Sequence, residues 1–548
     1  MKGRAKERGV DIQEKLKIRH KGVEYEGLPA ANAVGMALFE ATGMRRLIDE
    51  RCGFDREKRI LSPGMVVKAL IGPTFNVQKK HPLYLVGTAY SAAPTDRLFG
   101  PRVEKTDLYD TALARGLDTL FDADLTSLFR ECSDLAVRRL GLESDIYHMD
   151  STNISFHGIP HDADKEGAAV PRHGGHAKDL RNELLQYELQ IVTNGERVIR
   201  YMKPYDGNVS DTVKNSETLD DLGRMMPEEE IRDMIMVADS KLVTSKNIAK
   251  MLDMKMGFVS KCPESFGRKA RKRAASMAAD SRMHGCGREG LLLAETHLDI
   301  DLGSGRTERL RFVSYRWEPK TVRAEEAIRR EVSERIDGIV KGFKGRRFGS
   351  RTEAEAAVAA SADADGLFSF DSEVVHYSTD HPEDVRPWYE ARPVPRIDDA
   401  AVRRKAEISE TSVLVTNLPR SRKTDAQVLE LYSQEYKVEQ SFRLMKSGIG
   451  VDSIFLQTPS RENAMMFVVS IAALISNIAD AMFRRDGTCL NGRRLTMYRL
   501  AFELQNTIVV YSRDEGALDL QGPREITDVF FDITDTLGIN PQYLLGYA

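Results

Sequence analysis

Tyr432, Glu439 and Lys446 stand seven residues apart in the run YSQEYKVEQSFRLMK. Seven residues is nearly two helical turns, so on a helix the three side chains stack along one stripe. A carboxylate in that stripe can ligate a hard divalent cation, and a cation two turns on can grip a phosphate beside it. Val428, Leu431, Val438, Phe442 and Met445 recur at the same period, which an ordinary amphipathic helix also explains. Two upstream carboxylates add weight. Asp150 and Asp239 each directly follow a short apolar run, residues 146–149 and 234–238. Runs of that length read as buried strands, and in open α/β sheets functional groups gather at the carboxyl ends of strands. One aspartate at such a place is more often a turn or cap residue. Two of them, in order with a spaced Tyr/Glu/Lys helix, point to a shared site. Three converging carboxylates repel one another and raise their pKa values; divalent cations resolve the conflict. Mg²⁺ prefers oxygen ligands, and two ions roughly 3.5–4 Å apart serve an in-line phosphoryl displacement.

The elements that must position these groups follow from the apolar periodicity. Residues up to about 142 read as mostly helical, with helical spacing through 34–48 and 108–140 and loop pieces at Ser62-Pro63-Gly64 and Ala93-Pro94-Thr95. From 145 the pattern becomes strand, hairpin, helix, strand, helix, strand. The hairpin is expected at 187–193 and 197–202 around Asn194-Gly195, with helices near 211–225 and 245–252 and a last strand at 257–260. That is the order of a mixed α/β sheet. Residues 261–405 break the rhythm and read as an insertion, with a strand at 309–315, an Ala/Glu-rich helix and the low-complexity run AEAAVAASADADG. A strand is expected at 411–416, ahead of the helix with Glu439. The divisions are therefore 1–142, 143–260, 261–405, 406–485 and a C-terminal segment, 486–548.

Here the residues resemble a known family. Asp150, Asp239 and Glu439 resemble the DDE triad of insertion-sequence transposases with a ribonuclease H-like core. The 432–446 helix is similar to the YREK signature of the IS-four group: Tyr, two residues, Arg, three residues, Glu, six residues, Lys. Tyr432, Glu439 and Lys446 match it, and Glu435 occupies the arginine position. GHAKDLRNELLQYELQIV, and Gly207-Asn208 with Ser210-Asp211, resemble two further elements of that family, whereas Ser240-Lys241 depart from the small residue and glycine that usually follow its second aspartate. The resemblance implies a ribonuclease H-like core split by a large insertion, with a helical N-terminal domain suited to binding DNA ends. It implies strand cleavage at the element's ends and 3′-hydroxyl strand transfer into target DNA. Asp150, Asp239 and Glu439 would ligate two Mg²⁺ ions, with Mn²⁺ as a substitute. Tyr432 and Lys446 would contact DNA, with Lys437 or Arg443 standing in for the missing arginine. The partners implied are terminal inverted repeats, target DNA and a second copy of the chain on paired ends, in a bacterial or archaeal, nucleoid-associated setting.

Composition narrows the rivals. The 548 residues carry a net charge of -3, with 30% charged and 41% hydrophobic residues, so affinity for nucleic acid must come from local patches. The densest are Arg268, Lys269, Arg271, Lys272 and Arg273, then Lys341, Lys344, Arg346, Arg347 and Arg351; shorter ones lie at 403–405 and 420–423. A solvated face explains any one of these taken alone. Five scattered cysteines without a CxxC pair exclude a disulfide framework and fit a reducing cytoplasm. The apolar stretch 464–483 is long enough to span a membrane, but Ser470, Ser476, Asn477 and Asp480 interrupt it, and a buried core helix is expected. His148, His157, His161, His173 and His176 cluster in one region, which leaves a His-rich metal-dependent hydrolase or nuclease as the enzymatic alternative. A DNA-binding relative without catalysis is the non-enzymatic one.

Overall fold

A computed structural model describes residues 25–546 apart from 56, 58, 76–84, 157–161, 174–183, 282, 378–387, 435–455, 457, 513–516 and 541–542. The chain divides into two compact units. The first comprises Met1–Leu242, Lys250–Gly257 and Ser433–Ala548, the second Val243–Ala249 and Phe258–Tyr432.

The first unit opens with strand β1 (Tyr25–Pro29) and a set of helices. The apolar stretch 34–48 forms two helices, Ala30–Thr42 and Met44–Cys52, because Gly43 between them takes a left-handed φ of 85° that stops the first. Stretch 108–140 likewise splits into Asp110–Phe121 and Leu125–Leu140, where Asp124 caps the second through its side chain. Ser62-Pro63-Gly64, expected as loop, is a helix start: Ser62 accepts the Met65 N–H and Pro63 occupies the first turn of Pro63–Ile71.

Four strands follow in the spatial order β4 (Ile199–Asp206), β3 (Leu185–Asn194), β2 (Ile146–Phe156), β5 (Ile235–Ala238). β3 is antiparallel to both β4 and β2, and β5 is parallel to β2, so this is a mixed sheet. Two expectations change here. β2 does not end at Asp150; pairing with β3 carries it on to Phe156. The β3–β4 connection is not a two-residue Asn-Gly turn either. The Asn194 N–H bonds the Val198 carbonyl at 2.9 Å, and the left-handed residue is Arg197, at φ 64°.

In the second unit one run of strands has the order β6 (Gly257–Lys261), β13 (Ser412–Thr416), β9 (Arg306–Trp317), β8 (Leu291–Gly303), β7 (His284–Gly285). Thus the strand expected at 309–315 is longer and lies beside β13, where Val413 pairs with Ser314. A small sheet, β10 (Arg347–Phe348), β12 (Trp388–Ile397) and β11 (Phe368–Tyr377), packs one face on Phe343, Ala354 and Val358. The low-complexity run supplies the helix Arg351–Ala359, whose Ala354 and Val358 are buried.

The C-terminal part returns to the first unit with β14 (Cys489–Leu490), β15 (Arg493–Arg494), β16 (Ile508–Ser512) and β17 (Ala517–Gln521); β16 lies between β1 and β17. Its central member is the helix Pro459–Asp486, long and apolar enough to cross a membrane but with 94% of that apolar window buried inside the protein. The polar residues that interrupt it are satisfied within the core. Ser470 and Ser476 donate to the carbonyls of Met466 and Ala472, and Asp480 accepts the Met497 N–H at 2.6 Å. The helix shares one hydrophobic core with the N-terminal helices and with Ile154, Tyr187, Leu189 and Ile191 of the sheet. Each large apolar side chain buried there contributes about 1.5–3 kcal/mol.

Candidate active site

β2 and β5 run side by side with Ile146 opposite Ile235 and Met149 opposite Ala238. One step further along each strand stand Asp150 and Asp239. Parallel neighbours lie about 4.8 Å apart, so this register sets the two aspartates beside each other at the carboxyl end of the pair. Each is partly exposed, while the residues leading to it, Tyr147 to Met149 and Ile235 to Ala238, are buried. Apolar strands thus carry two carboxylates to the edge of a core, as the two sequence runs imply.

Both carboxylates are fixed by local backbone. Asp150 Oδ1 accepts the Ser151 N–H at 2.7 Å. Asp239 Oδ1 accepts the Lys241 N–H at 2.9 Å and its carbonyl accepts that of Leu242 at 3.2 Å, at the start of a 3₁₀ turn, Ser240–Leu242. Asp239 is therefore also the turn-former that its residue type suggests.

The strand that carries Asp150 is held from behind. Successive side chains alternate across a sheet, so Ser151 and Asn153 point away from the face of Asp150. Ser151 Oγ donates to Asp211 Oδ1 at 3.0 Å, and Asn153 Nδ2 donates to Gln186 and Glu188 at 2.7 and 2.8 Å. Lys214, only 1% exposed, joins Glu188 at 2.7 Å and Asp211 at 2.9 Å, and Gln190 donates to Asn215 at 3.2 Å. A polar layer thereby bolts β2 and β3 to the helix Asp211–Met225. Sequence reasoning found Ser210-Asp211 as an element but gave it no task; the periodicity of Asp211, Lys214 and Asn215 on one helix face was the available signal.

The approach to that helix depends on Gly207. A Cβ there would lie 1.9 Å from the Gln186 carbonyl oxygen and 2.7 Å from that of Arg172. Only glycine permits the chain to pass so close to β3.

A second cluster fixes the amino-terminal ends of β2 and β5. Arg130 and Arg200 share Asp134 and Glu230, at 3.0 and 3.2 Å for Arg130 and 2.5 and 3.4 Å for Arg200. Tyr147 Oη donates to Glu230 at 2.9 Å. Burial would raise the Glu230 carboxyl, but Arg130, Tyr147 and Arg200 hold it below its ordinary value.

Tyr432 is half-buried near the end of the helix Asp425–Ser433, which belongs to the second unit. Glu435, Lys437, Glu439, Arg443 and Lys446 lie outside the described residues, as do His157, His161 and His176. Of the other clustered histidines, His148 is fully buried on β2 and His173 is exposed. Among the described residues no group of three or more His, Cys, Asp or Glu side chains is placed to hold a metal. Asp150 and Asp239 form a pair of hard oxygen donors, the donor set that suits Mg²⁺ or Mn²⁺ rather than a thiolate-bound zinc.

Comparison with known proteins gives three results. The family model described as a transposase DDE domain matches residues 142–475, and a domain of unknown function (DUF4277) matches 32–134. No curated protein matches the chain. Among solved structures, the piggyBac transposase synaptic complex with hairpin DNA is 10% identical, with a TM-score of 0.38, over 88% of this chain and 82% of that one.

Proposed function

The chain belongs to the transposase DDE domain family and is a DNA transposase, and from that premise we propose that Asp150, Asp239 and Glu439 are its metal-binding triad. The observation that carries this reading is the β2–β5 register, which sets Asp150 on β2 beside Asp239, the first residue past the end of β5. Glu439 supplies the third carboxylate from the segment that follows the helix Asp425–Ser433. The mixed sheet, with a hairpin on one side of β2 and parallel β5 on the other, supports a ribonuclease H-like core. The spacing of Tyr432, Glu439 and Lys446 supports membership of the IS-four group.

The donor set fits a pair of Mg²⁺ ions, which when bound would lower the pKa of an attacking water and screen charge on the leaving oxygen. The protein's own part is placement. Asp150 and Asp239 hold their carboxylates in fixed directions through the Ser151 and Lys241 amides, and the polar layer around Lys214 prevents β2 from shifting. Lys446, Lys437 and Arg443 hold backbone phosphates, and Tyr432 packs beside the strand that is cut. Such contacts position DNA without reading its sequence. The reaction proposed is hydrolysis at the element's terminal inverted repeats, then attack of the freed 3′-hydroxyl on target DNA, with two copies of the chain on paired ends.

The test is Glu439→Gln in the full chain. Binding to a terminal-repeat duplex should persist while Mg²⁺- or Mn²⁺-dependent cleavage is lost. Cleavage at the wild-type rate would overturn the triad, and a preference for Zn²⁺ would favour the histidine-rich hydrolase instead. Wild-type protein that binds ends but never cuts them would be a DNA-binding relative without catalysis.

A further inference from the structure

The second unit contains a turn, residues 343–348, between the helix Glu318–Phe343 and strand β10, where two consecutive arginines behave unlike their neighbours. Five arginines nearby are engaged with carboxylates: Arg329 with Asp399, Arg335 with Asp363, Arg351 with Glu355, Arg396 with Asp371 and Arg403 with Glu407. Arg346 and Arg347 make no ion pair among the described residues, nor do Lys341 and Lys344, and all four are exposed. The guanidinium groups rest on aromatic rings instead. Arg346 lies 5.5 Å from the Phe343 centroid and 4.9 Å from that of Phe348, and Arg347 lies 4.4 Å from the ring of Trp388. Trp388 is itself stacked on its cross-strand partner Tyr377, with centroids 4.2 Å apart and planes 13° from parallel.

The sheet register sorts these groups. Arg347 pairs with Glu390, so it shares a face with Trp388 and Tyr377, whereas Phe348 and Tyr389 lie on the face packed against the small core. The two guanidiniums are thus braced on opposite sides of one edge of the small sheet. Stacking uses the flat of each guanidinium and leaves its N–H edges to other partners. A side chain already held by an aromatic ring also loses less freedom when it binds. The lysines have a structural explanation, since cations at a helix C-terminus offset its dipole. That effect does not explain two arginines laid on rings without an ion pair, Arg347 even though Glu390, which accepts the Tyr377 hydroxyl at 3.2 Å, lies opposite it.

We propose that the 343–348 turn is a contact for the phosphodiester backbone of DNA, in which Arg346 and Arg347 donate to phosphate oxygens and Lys344 adds charge. The proposal rests on the transposase reading for its choice of partner. It goes further in assigning a second DNA-contacting surface, apart from the triad, and in making Trp388 a positioning residue for Arg347. Because the contact is to backbone, it adds affinity without sequence preference.

The experiment measures binding of the full chain to a short duplex without divalent metal, from about 50 to 200 mM KCl. Each phosphate contact contributes about 0.9 to the slope of log K against log salt on duplex DNA. Arg346→Gln with Arg347→Gln should lower that slope by about 1.8, while circular dichroism and melting stay those of the wild type. Trp388→Leu removes no charge; it should weaken binding several-fold at fixed salt with the slope nearly kept, and Arg347→Lys should restore the slope but not the full affinity. An unchanged slope and affinity in the double glutamine variant would overturn the proposal, even if Trp388→Leu fails to fold. Failure of the triad is separable: it appears as metal-dependent cleavage that survives Glu439→Gln, and it leaves these binding data untouched.

Discussion

Arg311 and Asp425 form an ion pair of 2.5 Å with both side chains almost wholly buried, at 3% and 2% exposure. Arg311 Nη1 also donates to the carbonyls of Leu418 and Lys423, at 3.0 and 2.8 Å. One guanidinium on β9 therefore holds both ends of the basic 418–423 loop and the first residue of the helix Asp425–Ser433, the helix that leads towards Glu439. Removing one partner of a buried pair strands the other charge and costs about 3–5 kcal/mol. Asp425→Ala leaves Glu295 3.4 Å from Arg311 Nε as a remaining counter-charge, so the second unit should lose less than that in urea unfolding, about 1–3 kcal/mol. Because Arg311 also satisfies two carbonyls, Arg311→Met with Asp425→Ala should recover only part of it. A single-variant loss below about 1 kcal/mol would show that Glu295 and water together satisfy the arginine.

A second buried cation bears on the candidate site. Lys214 sits between Glu188 and Asp211, and Asp211 also receives the Ser151 hydroxyl next to Asp150. Lys214→Met removes the buried cation that lies between two neighbouring carboxylates. Melting temperature should fall, and the rate of end cleavage should fall about ten-fold or more while the affinity for duplex DNA stays within about two-fold, since a misplaced carboxylate disturbs geometry rather than binding. Adding Glu188→Gln should return much of the lost stability. Equal losses in affinity and rate would mean that the whole unit, not the strand, has moved.

The placement of Asp150 and Asp239 was legible in the sequence. Short apolar runs ahead of Asp150 and Asp239 announced buried strands, and strand order did the rest, because parallel pairing of β2 with β5 brings the two together. The length of β2 was not legible: Ser151, Asn153 and Ser155 look like a loop until Gln186, Glu188 and Gln190 are known to lie opposite. The partition of the N-terminal helices was hidden for a related reason. Apolar periodicity runs straight through residue 43, and only the left-handed φ of Gly43 breaks it. The Arg311–Asp425 pair could not be read at all, since its members are 114 residues apart and each looks like an ordinary surface charge. Long-range polar pairs leave no local period.

Gly207 offers a sharper test of close packing. With the Gln186 carbonyl 1.9 Å from where a Cβ would stand, Gly207→Ala must push the chain off β3 and loosen the start of the helix Asp211–Met225. Overpacking of this kind costs typically 1–3 kcal/mol, and a backbone atom cannot swing aside as a side chain would. Thermal melting should drop by several degrees. Gly141→Ala makes a useful contrast: nothing lies within 4 Å of its Cβ position, so its cost should come from the left-handed φ of 63° alone. Equal, small losses at both positions would sink the close-approach explanation.

The long core helix predicts a pH dependence. Glu462 is fully buried in its first turn, accepts the Tyr187 hydroxyl, and is pushed by burial up to about 7; Asp480, further along, is pushed up to about 6. A carboxyl whose pKa is higher in the folded chain binds its proton more tightly there, so the fold is favoured while both states are protonated and loses stability as pH rises. For Glu462 the loss should begin above its ordinary 4.5 and be complete just past 7; for Asp480 it should run from 3.8 to about 6. At about 1.4 kcal/mol per unit, the Glu462 contribution is of order 3 kcal/mol. Glu462→Gln keeps an acceptor for Tyr187 but cannot titrate. Urea midpoints of the variant should therefore exceed those of the wild type at pH 8 and converge with them towards pH 5. A difference between the two proteins that stays constant from pH 5 to 8 would show that Glu462 keeps its charge in the folded chain.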